Sequence, residues 1–413
     1  MLEVLILKPE AFGLDISDLS LKIIKLKKIK NGFDLATFGE QNLKPGIIKG
    51  GEIKDEKALS EVIKEALNKV QGEKLKTKYV IASLPEEKAF LQVIQMPRMS
   101  EEELKSAVIY EAENYIPLPI EEVYLDSQVI PPVYPVRDYK DKEKRQRDQI
   151  SNGVYNHLDH FDVLIAALPK KTVDPYLSVL KMAKLEPVSL EIESLSISRA
   201  LIKGEVSAFP VLLIDLGATR TSFIIFSGHS LRFTSSIPVS SGNFTEIISK
   251  TLGVDLAEAE KLKIKYGLEE KIQINKIKKG TEKKTDYNPP TASSRSQSER
   301  APRGKIFEAL IPPLVDLIQQ IERHLDYYQT HASHEHLPPN GKGVSKILLC
   351  GGGANLKGLP ELLSLELKIP VELGNPWINI LPTSLKELPD LPLEKSLAFT
   401  TAIGLALRGI KSQ

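Results

Sequence analysis

Two apolar runs broken by a small polar turn, Val211-Leu-Leu-Ile-Asp-Leu-Gly-Ala-Thr-Arg-Thr-Ser-Phe-Ile-Ile-Phe226, constrain this chain more than any other stretch. Each run is short enough for a strand, and the turn between them carries Asp215, Gly217, Ala218, Thr219 and Thr221, so the segment predicts a hairpin with a polar tip. Gly217 lets the backbone come close to a ligand. The N–H groups and hydroxyls of such a turn can donate to phosphate oxygens, and Asp215 can hold a hydrated Mg²⁺ beside them.

The pattern recurs near the N-terminus in Phe12-Gly-Leu-Asp-Ile-Ser-Asp-Leu-Ser-Leu-Lys-Ile-Ile-Lys25, where Asp15 takes the place of Asp215. An Asp-bearing hairpin at the head of each half predicts two similar α/β lobes whose turns face each other across a cleft. A third piece, Lys346-Ile-Leu-Leu-Cys-Gly-Gly-Gly-Ala-Asn-Leu-Lys-Gly-Leu359, reads as a buried strand running into three glycines and a helix start. Glycines there let a flat ring or a phosphate lie directly on the backbone, and a helix N-terminus favours an anion.

In this order the three pieces resemble the actin, sugar-kinase and chaperone ATPase superfamily. The resemblance implies ATP and Mg²⁺ as ligands. It assigns Asp15 with Ser17, Ser20 and Lys22 to a first phosphate motif and Asp215, Gly217, Ala218, Thr219 and Thr221 to a second, with both aspartates on the metal. Gly351, Gly352, Gly353 and Asn355 match the adenosine motif. Leu190 to Leu201 and Leu393 to Leu407 fall where the family's two connecting helices join the lobes.

The 413 residues exceed what a single core supports, so more than one domain is expected. With 55 basic and 54 acidic side chains the net charge is +1, which gives no global electrostatic footprint for nucleic acid. The lone Cys350 excludes an intramolecular disulfide framework and reads as core. The N-terminus lacks the basic region and cleavage site of a signal peptide, and no apolar run approaches the ~20 residues of a membrane span, so a soluble, cytoplasmic chain is expected.

In the first lobe, strand-like runs at 21–27 and 32–39 precede an amphipathic helix with Leu59, Val62, Ile63, Ala66, Leu67 and Val70 on one face, then a strand at Tyr79 to Leu84. Phe90 to Pro97 opens a different unit. Ser100 caps a helix that should run to about Tyr115, where Ile116-Pro-Leu-Pro119 stops it. Strands at 123–130 and 160–168 and a helix at 173–183 complete a compact inserted subdomain.

Here the resemblance narrows. Gln95-Met-Pro-Arg-Met-Ser-Glu-Glu-Glu-Leu104, Glu111-Ala-Glu-Asn-Tyr-Ile-Pro-Leu-Pro119 and Glu121-Glu-Val-Tyr-Leu-Asp126 closely resemble the inserted subdomain of the PilM family of type IV pilus assembly proteins, relatives of the division protein FtsA. The expected fold is therefore α/β, an actin-like two-lobed (ribonuclease H-like, duplicated) ATPase fold with a small α/β subdomain inserted in the first lobe. Its units are a first lobe at 1–87 and 187–207, the insertion at 88–186, and a second lobe at 208–413 with its own insertion at about 243–330. Two polar stretches, 131–157 and 276–305, are expected to carry no fixed structure.

The family resemblance implies a scaffold peripheral to the inner face of the cytoplasmic membrane, with at most slow ATPase activity. Its expected partners are the N-terminal cytoplasmic tail of a PilN-like membrane protein and other pilus platform proteins; homo-oligomers are compatible with it, nucleic acid is not a partner, and membrane contact is indirect. A related type II secretion system is the neighbouring setting. Two further assignments follow from the resemblance. Glu260 and Lys263, one helical turn apart, would reach the ribose, and Glu193 would be a water-orienting base or one half of an inter-lobe salt bridge. An FtsA-like filament would need an amphipathic C-terminal helix where this chain stops at Leu407-Arg-Gly-Ile-Lys-Ser-Gln413. A small-molecule kinase would need a substrate Asp in the cleft and no such insertion.

Three local expectations remain. Ser17 stands where relatives have Gly, and the neighbouring Asp18 sets a negative charge beside the phosphates unless it points away or is paired. Leu314, Leu317, Ile318, Ile321 and Leu325 form one helical face, with Pro312 and Pro313 in the first turn. His331, His334 and His336 read as loop histidines, with no Cys or paired Asp to make a metal site.

Overall fold

The computed structural model describes residues 10–30, 32–131, 160–268, 297–331, 343–381 and 390–411. The first lobe begins with β1 (Phe12–Ile16), β2 (Ser20–Ile29) and β3 (Gly32–Asn42), an antiparallel meander. After the short pair β4 (Ile48–Lys49) and β5 (Glu52–Ile53) come helix α1 (Glu56–Asn68), β6 (Gln71–Gly72) and β7 (Tyr79–Leu84), which runs parallel to β1. Asp55 caps α1 by accepting from the Ala58 N–H at 2.9 Å, and Leu59, Ile63 and Ala66 bury one face of it. Burying a side chain such as Leu59 or Ile63 contributes about 1.5–3 kcal/mol.

The inserted subdomain holds β8 (Phe90–Pro97), α2 (Glu101–Ala112), β9 (Val123–Ile130) and β10 (His160–Pro169), with sheet order β8-β10-β9. Ser100 starts α2 with a capping box: its N–H donates to Glu103 Oε2 at 2.9 Å and its Oγ accepts the Glu103 N–H at 3.3 Å. Leu104, Val108 and Ala112 of α2 cover Ile94, Val163 and Ile165 of the sheet in a small core of their own. Phe90 pairs with Ala167, so the unit enters and leaves the lobe at neighbouring points.

Chain order continues with α3 (Lys170–Met182), β11 (Glu186–Ile192) and α4 (Glu193–Leu201). The reading of α3 as part of the insertion is corrected: Val173, Tyr176, Val179 and Leu180 lie in the first lobe's core with Phe12, Leu14, Leu59 and Ile63. The stripe is too apolar to leave the sheet it covers, so α3 packs beside α1.

The second lobe repeats the first. β12 (Ser207–Leu216), β13 (Thr221–Gly228) and β14 (Ser230–Ile237) form the meander, followed by α5 (Ser241–Leu252), α6 (Leu256–Tyr266) and α7 (Gln297–His331). β15 (Lys346–Cys350), α8 (Leu359–Leu367), β16 (Val371–Leu373), the short α9 (Leu393–Ser396) and α10 (Thr400–Lys411) complete the described chain. The sheet orders are β6-β3-β2-β1-β7-β11 and β14-β13-β12-β15-β16. Apart from the short β6, each is a meander whose first strand takes a parallel neighbour that takes another in turn, which is the duplication expected from the two Asp-bearing hairpins.

Two expectations about α7 are corrected. Residues 297–305, read as part of an unstructured stretch, are helical, and Pro312 and Pro313 lie inside the helix rather than in its first turn. An interior proline costs about 3 kcal/mol. The buried stripe Ile306, Leu310, Leu314, Leu317, Ile321 continues across both prolines and offsets it. Residues 132–157, 276–296, His334 and His336 lie outside the described residues; His331 closes α7. The second connecting helix, read as continuous over 393–407, is broken by a 3-10 turn at Leu397–Phe399. There the Leu397 carbonyl accepts from the Gly351 N–H at 3.0 Å and the Thr400 hydroxyl at 2.8 Å.

Candidate functional site: a cleft between two hairpin tips

The two hairpin tips are built alike. The Ser17 N–H donates to the Ser20 carbonyl at 3.0 Å, and the Gly217 N–H to the Arg220 carbonyl at 2.9 Å. Asp15 pairs in register with Lys22, and Asp215 with Ser222, so each carboxylate leaves the last residues of a strand toward the same space. A cavity of about 280 Å³ lies between the tips. Asp15, Ser17, Ser20 and Lys22 line it from the first lobe, and Asp215, Gly217, Ala218 and Thr219 from the second; Glu193 and Gly351 close it.

A larger cavity of about 1000 Å³ adjoins it, lined by Glu260, Lys263, Gly352, Gly353 and Asn355 together with Ser241 and Phe38. Glu40, Gly352 and Ala398 line both, so the two form one cleft with a neck at Gly352. Gly351 has φ +79, and a Cβ there would come within 2.6 Å of the Leu216 carbonyl oxygen and closer still to Asp215. Only glycine fits between the end of β15 and the second hairpin tip. Cys350, just before it, is buried, as read from the sequence.

The charges explain the site's chemistry. Asp15 accepts from Ser83 Oγ at 3.1 Å, and burial raises its carboxyl above the usual range while Lys22 works against that. Burial and the neighbouring Asp15 push Asp215 up to about 6. Glu193 is raised well above the carboxylate range, first by burial, with Arg220 opposing and Asp15 and Glu87 adding to it. Lys22 Nζ donates to Ser20 Oγ at 2.7 Å and stays at the rim of the first turn. This buried acidic floor suits a cation or a proton. Among the described residues no group of three or more His, Cys, Asp or Glu side chains is close enough to hold a metal directly.

Asp18 does not line the cleft. Its carboxylate accepts the Gly50 N–H at 2.9 Å and the Gly51 N–H at 3.0 Å, which turns the charge away from the cleft and removes the conflict posed by the sequence. Lys263 is buried, its Nζ bound to Ser241 Oγ at 2.7 Å, Thr245 Oγ1 at 2.8 Å and Glu260 at 2.8 Å, and burial lowers its pKa. Glu260 remains open to the large cavity. Asn355 donates to the Glu394 carbonyl at 2.7 Å and so ties the glycine turn to the second connecting helix.

One assignment is corrected: Thr221 is fully buried and donates to the Val239 carbonyl at 2.7 Å. As the first residue of β13 it faces the lobe rather than the cleft. Sequence reading also missed Arg220, which lines the small cavity, pairs with Glu87 and lies 3.6 Å from Glu193. It is the inter-lobe partner that one of the two readings of Glu193 required. A cation at a turn otherwise made of small residues was the available signal.

Fold and site together define an actin-like protein with an inter-lobe cleft: two duplicated lobes, two Asp-bearing turns and a glycine turn meeting between them. The chain is similar to the PilM family in its first lobe and insertion and to FtsA in its second lobe. The profile of the family described as type IV pilus assembly protein PilM matches residues 13–142, and that of cell division protein FtsA matches residues 212–404. A solved PilM-PilN type IV pilus biogenesis complex is similar at 26% identity and a TM-score of 0.71, covering 98% of this chain and 99% of that one. FtsA of Pseudomonas aeruginosa is 25% identical over 229 residues, 55% of this chain and 49% of its own. FtsA of Helicobacter pylori is 27% identical over 211 residues, 50% of this chain and 40% of its own. The chain thus spans about half the length, or less, of these curated relatives. No helix among the described residues is long and apolar enough to cross a membrane.

Proposed function

We propose that this chain is an actin-like ATP-binding scaffold of the type IV pilus, or related type II secretion, inner-membrane platform, working on the cytoplasmic side and holding the N-terminal tail of a PilN-like membrane protein. The observation that carries the reading is the inserted three-stranded subdomain within a likeness that runs the full length of a PilM-PilN structure. In that subdomain β8 and β9 each pair on one side only among the described residues. An extended peptide can add to such an edge through its backbone and seat alternate side chains, which gives affinity without a large preformed surface.

The nucleotide would lie along the cleft, its adenosine against Gly352, Gly353 and Asn355 and its ribose near Glu260 and Lys263. Its phosphates would meet Ser17, Ser20, Lys22, Gly217, Ala218 and Thr219. A Mg²⁺ that keeps most of its waters needs only one or two carboxylates, and Asp15 and Asp215 fit that demand; bound there, it would neutralise phosphate charge. Glu193 lies 3.6 Å from Arg220 and accepts from the Glu86 N–H, so its carboxylate is engaged between the lobes, which supports a ligand held rather than turned over.

The test is hydrogen exchange of the full chain with a peptide copying the N-terminus of the membrane protein made alongside it. Saturable binding with protection confined to residues 90–169 and the facing first lobe is expected. Absence of saturable binding, or protection confined to the cleft, would overturn the scaffold reading.

A further inference from the structure

Arg220 is held in a way that a merely structural cation would not require. It stands at the tip of the second turn and lines the small cavity, yet its guanidinium is turned to two carboxylates of the other lobe, Glu87 and Glu193. Glu87 does not line either cavity of the cleft. It belongs to the 3-10 turn Glu86–Lys88, which leads into β8 and the inserted subdomain. That turn is tied on every side: Glu86 Oε2 accepts the Ser194 N–H at 3.1 Å, the Glu86 N–H reaches Glu193 at 3.4 Å, and Lys88 pairs with Glu52 at 2.7 Å.

We propose that Arg220 is the residue by which this cleft tells a nucleoside triphosphate from a diphosphate, exchanging Glu87 for the terminal phosphate and thereby releasing the turn that enters the inserted subdomain. The inference rests on the nucleotide reading above and names the discriminating residue within it. Lys22 and Arg220 are the cations that line the small cavity among the described residues, and neither lines the large one. Lys22 is held at the first turn by Ser20 and faces Asp15 in register. A ligand whose base occupies the large cavity ends its phosphate chain in the small one. A triphosphate differs from a diphosphate there by one more negatively charged phosphoryl group, two of whose terminal oxygens can accept the forked donors of a guanidinium. Glu87 is a competitor for the same donors, so a phosphate must displace it.

The experiment is calorimetric titration of the full chain with ATP and with ADP, each with Mg²⁺, alongside amide exchange of residues 86–89. Wild type should bind both, with exchange at 86–89 rising with ATP and not with ADP. Arg220→Gln should lose about tenfold more ATP affinity than ADP affinity, whereas Arg220→Lys should lose less. Glu87→Gln removes the competitor without touching the cavity lining, so it should tighten ATP several-fold relative to ADP and raise basal exchange at 86–89; it also serves should Arg220→Gln fail to fold. Equal losses for the two nucleotides in Arg220→Gln, or an unchanged ATP-to-ADP ratio in Glu87→Gln, would overturn the proposal while leaving the nucleotide site standing. Failure of wild type to bind either nucleotide would remove both.

Discussion

Gly404 sits where the two connecting helices cross, and replacing it tests how the floor of the cleft is built. A Cβ at this position would come within 2.5 Å of the Ser196 carbonyl carbon and 2.9 Å of its Cα, and closer still to the carbonyl oxygen. Ordinary carbon contacts begin near ~3.5 Å, so α10 would have to move about 1 Å from α4. The obstacle is backbone and cannot rotate aside. On the other side α10 rests on β1, where a Cβ at Gly13 would meet the Ala406 nitrogen at 2.7 Å, so the helix has no free direction in which to shift. Overpacking costs about 1–3 kcal/mol and here belongs at the top of that range, while the helix propensity of Ala over Gly returns about 1 kcal/mol. The expected net loss for Gly404→Ala is about 2 kcal/mol. Trp377, the single tryptophan, is buried in one cluster with Ala402, Ile403, Ala406 and Leu407 of the same helix, so its fluorescence reports the contact directly during urea unfolding. Gly352→Ala is the control, since the nearest atom to its Cβ is Ala398 Cβ at 3.9 Å. A Gly404→Ala midpoint at or above wild type would refute the close-crossing argument.

The acidic floor should make stability pH-dependent. Asp215 is raised from 3.8 to about 6 in the folded chain, so folding binds its proton more tightly than unfolding does. That contribution is complete below the unfolded value and is lost as pH rises through about 6, by about 3 kcal/mol at ~1.4 kcal/mol per unit. Asp215→Asn should therefore flatten the fall in unfolding temperature between pH 4 and pH 8; an unchanged slope would mean the carboxyl is not withdrawn from water. At the neck of the cleft, Gly352→Glu should place a charged side chain between the two cavities and abolish ATP binding in calorimetry without unfolding the chain, and full retention of affinity would remove ATP from the cleft. Asp162→Ala should cost about 3–5 kcal/mol, because it leaves Arg232, its ion-pair partner at 2.6 Å, charged and buried; a loss under about 1 kcal/mol would show that water reaches the guanidinium.

What could be read from residues alone follows the range of the interactions involved. The hairpins at Asp15 and Asp215 and the strand at 346–350 are local: apolar runs, a turn of small residues, a glycine that nothing else can replace. The cap at Ser100 and the face of α1 are local too. What could not be read depends on partners far along the chain. Nothing near Thr221 says that its hydroxyl will be spent on Val239, and nothing near Asp18 says that Gly50 and Gly51 will take its charge. Pro312 and Pro313 argue for a helix start until Ile306 and Leu310 are seen to continue the buried stripe on their far side. Arg220 acquires meaning only when Glu87 and Glu193, from the other lobe, are beside it.

The inserted subdomain shows the same dependence at the scale of whole units. It grows from the first lobe between β7 and α3, but its firmest polar tie is to the second: Asp162 of β10 and Arg232 of β14 form a nearly fully buried ion pair. Ile130 and Leu164 of the insertion also belong to the second lobe's hydrophobic core. A subdomain attached covalently to one lobe and by packing to the other cannot follow both if the lobes move apart. Separating it from β14 would strip a buried pair of its partner, at about the 3–5 kcal/mol such a loss costs. Opening of the cleft must therefore either bend the strands β8 and β10 at their roots, near Phe90 and Ala167, or carry the insertion with the second lobe and shear it against α3. Either way the surface between insertion and first lobe is the part of the molecule that deforms, and a peptide bound there would feel the state of the cleft through packing alone.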